Sequence, residues 1–145
     1  MIPNKLIATN VQAETWQDAV REAGQLLVNN NLIEPEYIDS MIETVHKHGP
    51  YMILAPEICL FHGQPGEMVK EPCVSLVTLA DTVYFTEYDN QPIKVAFALG
   101  ATDSESHLSL LQDVAKLLSD DAFKMLVQSN GAKEDIIKKM EEILQ

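Results

Sequence analysis

Apolar residues recur at the three- and four-residue spacing of helices in five segments, and form short runs typical of buried strands in five others. The first helix is predicted after Thr15, an N-cap residue followed three positions later by Asp18, and it should stop at the asparagines 29–31. The second should begin at Pro35 and end at 49–50. Their apolar faces are Trp16, Ala19, Val20, Ala23, Leu26 and Leu27 in the first helix, and Tyr37, Ile38, Met41, Ile42 and Val45 in the second.

Three further helices are predicted in the C-terminal third of the chain. Asp103 or Ser104 caps the third helix. Ser119 caps a short fourth helix that runs through Val127 and is closed by Asn130-Gly131, and a fifth helix follows. The buried faces expected are Leu108, Leu111, Val114, Ala115 and Leu118 in the third helix, and Ile136, Ile137, Met140, Ile143 and Leu144 in the fifth.

The five strand candidates alternate with these helices. They are residues 5–8, 51–55, 58–61, 74–79 and 93–99, and the last is apolar enough for a central position. Residues 63–72 are predicted to form a loop. No linker or repeat divides the chain, so the pattern predicts one α/β domain over 1–145, with a mixed central sheet and helices on both faces.

Composition narrows the function classes. With 145 residues and 46% apolar residues, the chain can bury a core and is not of the disordered class. The net charge of −12, without Lys/Arg clusters, argues against nucleic acid and against anionic membranes, although it favours a basic partner. No apolar run reaches the length of a membrane span. Cys59 and Cys73 make no disulfide framework, so we expect a reducing, cytoplasmic compartment.

Two of the four histidines stand where a site is expected. His62 ends a predicted strand inside a Gly/Pro-rich turn, and His107 lies in the first turn of the helix that follows the strongest strand. Strand ends and the helices after them build ligand sites in open α/β sheets, so the two side chains should converge. A helix N-terminus there would favour a phosphoryl group and a neutral imidazole. The alternatives remain a loop histidine without a role at 62 and a helix-start histidine at 107.

Competing chemistries are less well supported by the sequence. Cys59 and His62 could supply half of a zinc site, with Cys73 or His107 completing it, but on a strand the first two would point to opposite faces. The segment 46–48 (HKH) is typical of a helix C-terminus, where positive charge is favoured. No GxxxxGK[ST], GxGxxG or GxSxG motif occurs.

Residues 49–56 (GPYMILAP), the stretch 55–65 that contains His62, and residues 103–108 (DSESHL) carry a family resemblance. They resemble the IIA component of the bacterial phosphoenolpyruvate-dependent sugar phosphotransferase system, in the mannitol/fructose superfamily and nearest its ascorbate-type branch. The resemblance implies that His62 is the phosphorylated residue, and that His107 is the second histidine, lying against its ring. No cofactor or metal is implied.

The same resemblance implies a cytoplasmic phosphocarrier. It would accept a phosphoryl group from phospho-HPr and pass it to a IIB component, in an ascorbate or related pentitol-type system. A homodimer is a further expectation, while membrane insertion and nucleic-acid binding are not expected. The alternative from another class is a non-catalytic or regulatory IIA-like module that binds a protein, and a more distant one is a small-anion-binding domain.

The sequence departs from the family at the residue two positions after the histidine. Ascorbate-type relatives usually have Pro-His-Ala-Arg-Pro, whereas residues 61–65 here are Phe-His-Gly-Gln-Pro. Gln64 therefore replaces an arginine, which removes a fixed positive charge beside the expected phosphoryl site. Other branches carry an arginine near the position of Thr44, but the single arginine of this chain is Arg21.

Overall fold

The computed structural model describes residues 2–49 and 52–145. It contains a five-stranded mixed sheet and five α-helices, which confirms the predicted fold class. The strands are β1 (Ile7–Val11), β2 (Ile53–Ala55), β3 (Glu57–His62), β4 (Cys73–Phe85) and β5 (Gln91–Gly100). The helices are α1 (Trp16–Asn29), α2 (Glu36–His48), α3 (Ser104–Leu118), α4 (Asp121–Gln128) and α5 (Lys133–Leu144).

The strand order is β1-β4-β5-β3-β2, which places β5 at the centre of the sheet as its apolar sequence predicts. β5 is antiparallel to β4 and parallel to β3. Residues 95–100 are all buried, because both faces of this strand are covered. In the parallel pair His62 lies opposite Leu99, so the end of β3 is fixed against the end of the central strand.

Helices cover both faces of the sheet. On one face α1 packs against β4, where the Ser75 hydroxyl donates to the Ala23 carbonyl at 2.7 Å. Neighbouring residues of a strand point to opposite faces, and β3 shows this at its end. The ring of Phe61 contacts Phe85 on the α1 side, whereas the ring of His62 contacts His107 of α3 on the other side. This alternation directs His62 toward α3.

The first two helices begin and end close to their predicted positions. Thr15 caps α1 by accepting the Asp18 N–H at 3.1 Å. Pro35 precedes α2 as its N-cap rather than being its first residue, a shift of one position. At the other end of α2, Gly49 has φ of 78°, a conformation that favours glycine, and donates its N–H to Val45 at 2.7 Å. The prediction at residue 50 lies outside the described residues.

Two of the predicted strands begin later than expected. Residues 4–6 form a 3-10 turn, closed by the bond from the Leu6 N–H to the Pro3 carbonyl at 2.9 Å, so the strand predicted at 5–8 starts only at Ile7. The run at 51–55 gives β2 from Ile53, and its first residue lies outside the described part of the chain.

β4 is longer than the predicted strand 74–79, because it continues to Phe85 and turns through 86–90 into β5. The pairing shifts register between Thr78 and Val83, and the Lys94 amino group donates to the Ala80 carbonyl at 2.8 Å near this irregularity. Asp81 lies within this irregular segment. An aspartate is typical of a strand end, which explains why the sequence predicts only residues 74–79 of β4.

The predicted buried face of α3 is partly wrong. Val114 is buried as expected, but Leu108 is 57% exposed and Ala115 is exposed, while the unpredicted Leu117 is buried. The helix carries apolar residues over a wider arc than the sheet covers, so spacing alone could not show which part faces inward. Leu111 and Leu118 are partly buried and pack against the core. We refer to Leu108, Leu111, Ala115 and Leu118, which are exposed or only partly buried, as the α3 stripe. Exposed Leu54 of β2 adjoins the end of this stripe.

Candidate active site

The fold brings His62 and His107 together. His62 is the last residue of β3, and His107 lies at the end of the first turn of α3, where its N–H donates to the Asp103 carbonyl at 3.1 Å. The centres of the two imidazole rings are 5.0 Å apart, and the ring planes are inclined by 79°. Two histidines separated by more than forty positions in the chain therefore share one site.

The two rings line a crevice of about 220 Å³. Its lining residues are His62, Gly63, Gln64, Pro65, Ser104 and His107. A water molecule occupies about 30 Å³ of liquid, so a group with several heavy atoms, such as a phosphoryl group, fits inside. None of these lining residues is a lysine, an arginine or a carboxylate, and Gln64 stands at the position where an arginine was expected from the family pattern.

Burial keeps both imidazoles neutral. It lowers the pKa of His62 below the ordinary value, outweighing the Gly63 carbonyl, which acts in the opposite direction, and the neighbouring His107 lowers it further. Burial also lowers the pKa of His107. Both rings are therefore uncharged near neutral pH, and an uncharged imidazole has the lone pair that a nucleophile needs.

A backbone carbonyl selects the tautomer of His62. Nδ1 of His62 lies 3.4 Å from the carbonyl oxygen of Gly63. Because a carbonyl oxygen can only accept, the proton of the neutral ring belongs on Nδ1 and the lone pair on Nε2. Nε2 is thus the atom of His62 that can attack an electrophile.

The start of α3 is held by a capping box. The Asp103 carboxylate accepts the Ser106 N–H at 2.8 Å, and the Ser106 hydroxyl oxygen accepts the Asp103 N–H at 3.3 Å. The predicted cap at Asp103 is therefore confirmed, whereas the predicted cap of α4 at Ser119 is wrong. The cap of α4 is Asp120, whose carboxylate accepts the Phe123 N–H at 2.8 Å. Ser104, which was considered only as an alternative cap, lines the crevice instead. The signal for this was its spacing, because residues 104 and 107 lie on one face of a helix.

The other candidate residues lie away from the crevice. Cys59 and Cys73 are buried free thiols, and burial raises their pKa values to about 12 and about 11. No group of three or more His, Cys, Asp or Glu within 2–49 and 52–145 is arranged to hold a metal ion. His46 packs edge-on against Trp16, with ring centres 5.4 Å apart, and exposed Arg21 pairs with Asp18 at 3.0 Å.

Comparison with known proteins identifies the family of this chain. The family model "Phosphoenolpyruvate-dependent sugar phosphotransferase system, EIIA 2" matches residues 1–143. The chain belongs to this family. The EIIA protein is 37% identical over 119 residues to the ascorbate-specific PTS system EIIA component of Shigella flexneri, an alignment that covers 81% of this chain and 77% of that relative.

Solved structures of IIA proteins have the same fold as this EIIA protein. The mannitol-specific cryptic phosphotransferase enzyme IIA CmtB from Escherichia coli superposes with a TM-score of 0.86 at 27% identity. The superposition covers 97% of this chain and 95% of CmtB. The mannitol IIA protein of Escherichia coli in its complex with phosphorylated IIB gives a TM-score of 0.85 at 19% identity, covering 98% of each chain. In the described part of the EIIA protein, no helix is both long and apolar enough to cross a membrane.

Proposed function

We propose that this EIIA protein is a phosphocarrier that accepts a phosphoryl group on His62 from phospho-HPr and passes it to a IIB component. The observation that carries the proposal is the pair of neutral imidazoles, 5.0 Å apart, in an open crevice at the start of α3. A nucleophile, a neighbouring N–H donor and a helix N-terminus are the parts that phosphoryl transfer requires.

The transfer is a single in-line displacement. The lone pair on Nε2 of His62 forms the new N–P bond while the N–P bond of the donor phosphohistidine breaks. The donor ring, protonated on its other nitrogen, leaves with that electron pair as a neutral imidazole. His62 keeps its proton on Nδ1, next to the Gly63 carbonyl, and takes over the positive charge of the phosphorylated ring. Atoms and electrons balance without a metal or another co-reactant, and the exchange between two imidazoles is readily reversible.

Neutral donors replace the missing arginine. The equatorial oxygens of the transferring group gain stabilisation from donors that are already in place. In the crevice these are a ring N–H of His107, the Ser104 hydroxyl, the Gln64 amide and the N-terminus of α3. We propose His107 as the main donor, because its ring lies directly against that of His62.

The partners follow from the relatives and from charge. The relative from Shigella flexneri is named ascorbate-specific, so we assign the protein to an ascorbate or related pentitol-type system. A IIB acceptor is proposed by analogy with the mannitol complex, which shares the fold. The net charge of −12 would steer a basic donor such as HPr to the crevice. The buried free thiols suit the cytoplasm, where these exchanges take place.

One observation favours a second candidate, a regulatory IIA-like module. The residues that line the crevice include no fixed cation, so a bound phosphoryl group would be held by neutral donors and exchanged more slowly. On this alternative the phosphorylated state is a signal to a protein partner rather than a step in transport.

The test is phosphorylation with phosphoenolpyruvate, enzyme I and HPr, followed by addition of IIB. We expect an acid-labile, alkali-stable label on the wild-type protein and on His46→Ala, a control histidine outside the crevice, and no label on His62→Ala. Equal labelling of His62→Ala would refute the proposal. A label that moves to IIB supports the carrier, whereas one that stays on the EIIA protein in the presence of IIB supports the regulatory module.

A further inference from the structure

Tyr37 of α2 has a buried hydroxyl that the proposed transfer does not use. Its side chain is fully buried, on a helix that packs against α1 and β3. The hydroxyl accepts the N–H of Gly63 at 2.8 Å and donates to the carbonyl of Leu99 at 2.9 Å. Both bonds connect α2 to the strand ends that hold the nucleophile.

The two groups bound by Tyr37 flank His62. Gly63 follows the nucleophile directly, and Leu99 is its partner in the parallel pairing of β3 with β5. The Tyr37 hydroxyl thus forms hydrogen bonds to the backbone just where the regular pairing of β3 with β5 ends, and it bridges these two strands. Without it the buried Gly63 N–H would lose the acceptor that fixes its direction.

The packing leaves this segment no room to shift toward α2. A Cβ atom at Gly63 would lie 2.5 Å from the Ser40 hydroxyl oxygen and 3.0 Å from Cε1 of Tyr37. Glycine is therefore required here by close approach. The backbone after His62 rests directly on α2 and is bonded to it through the Tyr37 hydroxyl.

Gly63 also carries the carbonyl that faces Nδ1 of His62 at 3.4 Å. The N–H and the carbonyl of Gly63 belong to two successive peptide units that meet at its Cα atom. The Tyr37 bond fixes the first unit and places this Cα, and the tight packing of Gly63 against Ser40 and Tyr37 limits how the second unit can turn. We propose that Tyr37 is a positioning residue, which holds the Gly63 backbone so that its carbonyl keeps the proton on Nδ1 of His62 and leaves Nε2 free to attack.

This inference rests on the proposed function for its kinetic consequence. A nucleophile that is misplaced by about 1 Å, or that is protonated on the attacking nitrogen for part of the time, reacts more slowly by a factor on the order of ten to a hundred. The tautomer of His62 can be measured without any phosphoryl transfer. The two measurements therefore separate a failure of this inference from a failure of the proposed function.

The decisive variant is Tyr37→Phe, which removes only the hydroxyl. Tyr88→Phe is the matched control, because Tyr88 donates to the Val45 carbonyl at 3.3 Å at the other end of the sheet. We expect the single-turnover rate constant for labelling by phospho-HPr to fall ten- to a hundredfold in Tyr37→Phe and to stay within twofold in Tyr88→Phe. Circular dichroism of both variants verifies that they are folded, so that a lower rate constant does not reflect a smaller folded fraction.

Nitrogen-15 NMR of the His62 ring provides the second readout. The wild-type protein and Tyr88→Phe should show the Nδ1–H tautomer, and Tyr37→Phe should show a mixture of both tautomers. A folded Tyr37→Phe with the wild-type rate constant and the wild-type tautomer would overturn the proposal. If the wild-type protein takes no label at all, the proposed function fails, and the tautomer alone decides the role of Tyr37.

Two further measurements apply if Tyr37→Phe does not fold. Gly63→Ala keeps the hydroxyl but pushes the backbone away from α2, and it should shift the tautomer and slow the transfer in the same direction. In the wild-type protein the Gly63 amide hydrogen should exchange with solvent far more slowly than an unprotected amide. Exchange at the unprotected rate would show that the Tyr37 bond does not hold this backbone.

Discussion

Replacement of His107 by alanine should slow phosphoryl transfer without removing the acceptor. The rings of His107 and His62 are 5.0 Å apart, so an oxygen of a phosphoryl group on His62 comes within reach of an N–H on His107. Loss of one such donor typically costs on the order of 10²–10³ in rate. The crevice is open to solvent, which weakens each electrostatic contact, so we expect a loss near the lower end, about a hundredfold.

The assay is single-turnover labelling by phospho-HPr, with circular dichroism to verify folding. His107→Gln retains an N–H donor of similar reach and should lose less than His107→Ala. His46→Ala is the matched control, because His46 makes a similar edge-on ring contact, 5.4 Å from Trp16, outside the crevice. All three variants should reach full labelling at long times. A folded His107→Ala with the wild-type rate constant would refute the reasoning.

Three other outcomes are expected. Gln64→Arg should speed transfer from phospho-HPr by restoring a positive charge, with a gain that shrinks as salt is added, and an unchanged rate at low salt would mean that neutral donors suffice. Because burial lowers the pKa of His62, its NMR titration midpoint should lie below 6.5, and the transfer rate should fall only as pH drops through that midpoint; a midpoint at or above 6.5 contradicts this. The lowered pKa also means that the unfolded chain binds the proton first, so the stability contributed by His62 is present above pH 6.5 and lost as pH falls through the native pKa. Phe97 is fully buried in β5, so Phe97→Ala should lower the free energy of unfolding, measured in urea, by about 3–5 kcal/mol. The side chain of Met125 is 69% exposed, so Met125→Ala should change that free energy by less than about 0.5 kcal/mol. Similar losses in the two variants would contradict the placement of the core.

The parts of the fold that sequence predicts well are those decided by neighbouring residues. Thr15 and Asp103 are good caps by side-chain chemistry alone, and both serve as caps. The central position of β5 follows from its continuous apolar run. The sequence does not predict the second half of β4, because Asp81 resembles a strand break and the strand continues past it only by pairing with β5 across a register shift.

Some residues of the candidate site can likewise be predicted from the sequence, and others depend on how the helices pack. The approach of His62 to His107 could be anticipated, because strand ends and the helices after them meet at one edge of a sheet. Ser104 and Tyr37 could not be assigned to the site in advance, since their positions depend on the rotation of α3 and on how α2 lies against the sheet. The sequence presents Tyr37 as one more apolar position of a helix face, and only the fold shows what its hydroxyl binds.

The same rotation of α3 explains the α3 stripe. Amphipathic spacing identifies the apolar arc of a helix, but an arc wider than its contact leaves part of it in solvent. Leu108 and Ala115 lie on that exposed part, and Ala115 is near Leu54 of β2.

The strand order has a consequence for how the chain reaches its native state. β4 and β5 are neighbours in sequence, joined by the turn 86–90, and can pair early as a local hairpin. β3 precedes them in sequence but pairs with the far side of β5, and His107 follows all three strands. The two imidazoles therefore meet only after a long loop has closed and α3 has docked. A chain that ends before α3 therefore contains His62 and the strand that holds it, but not the paired site.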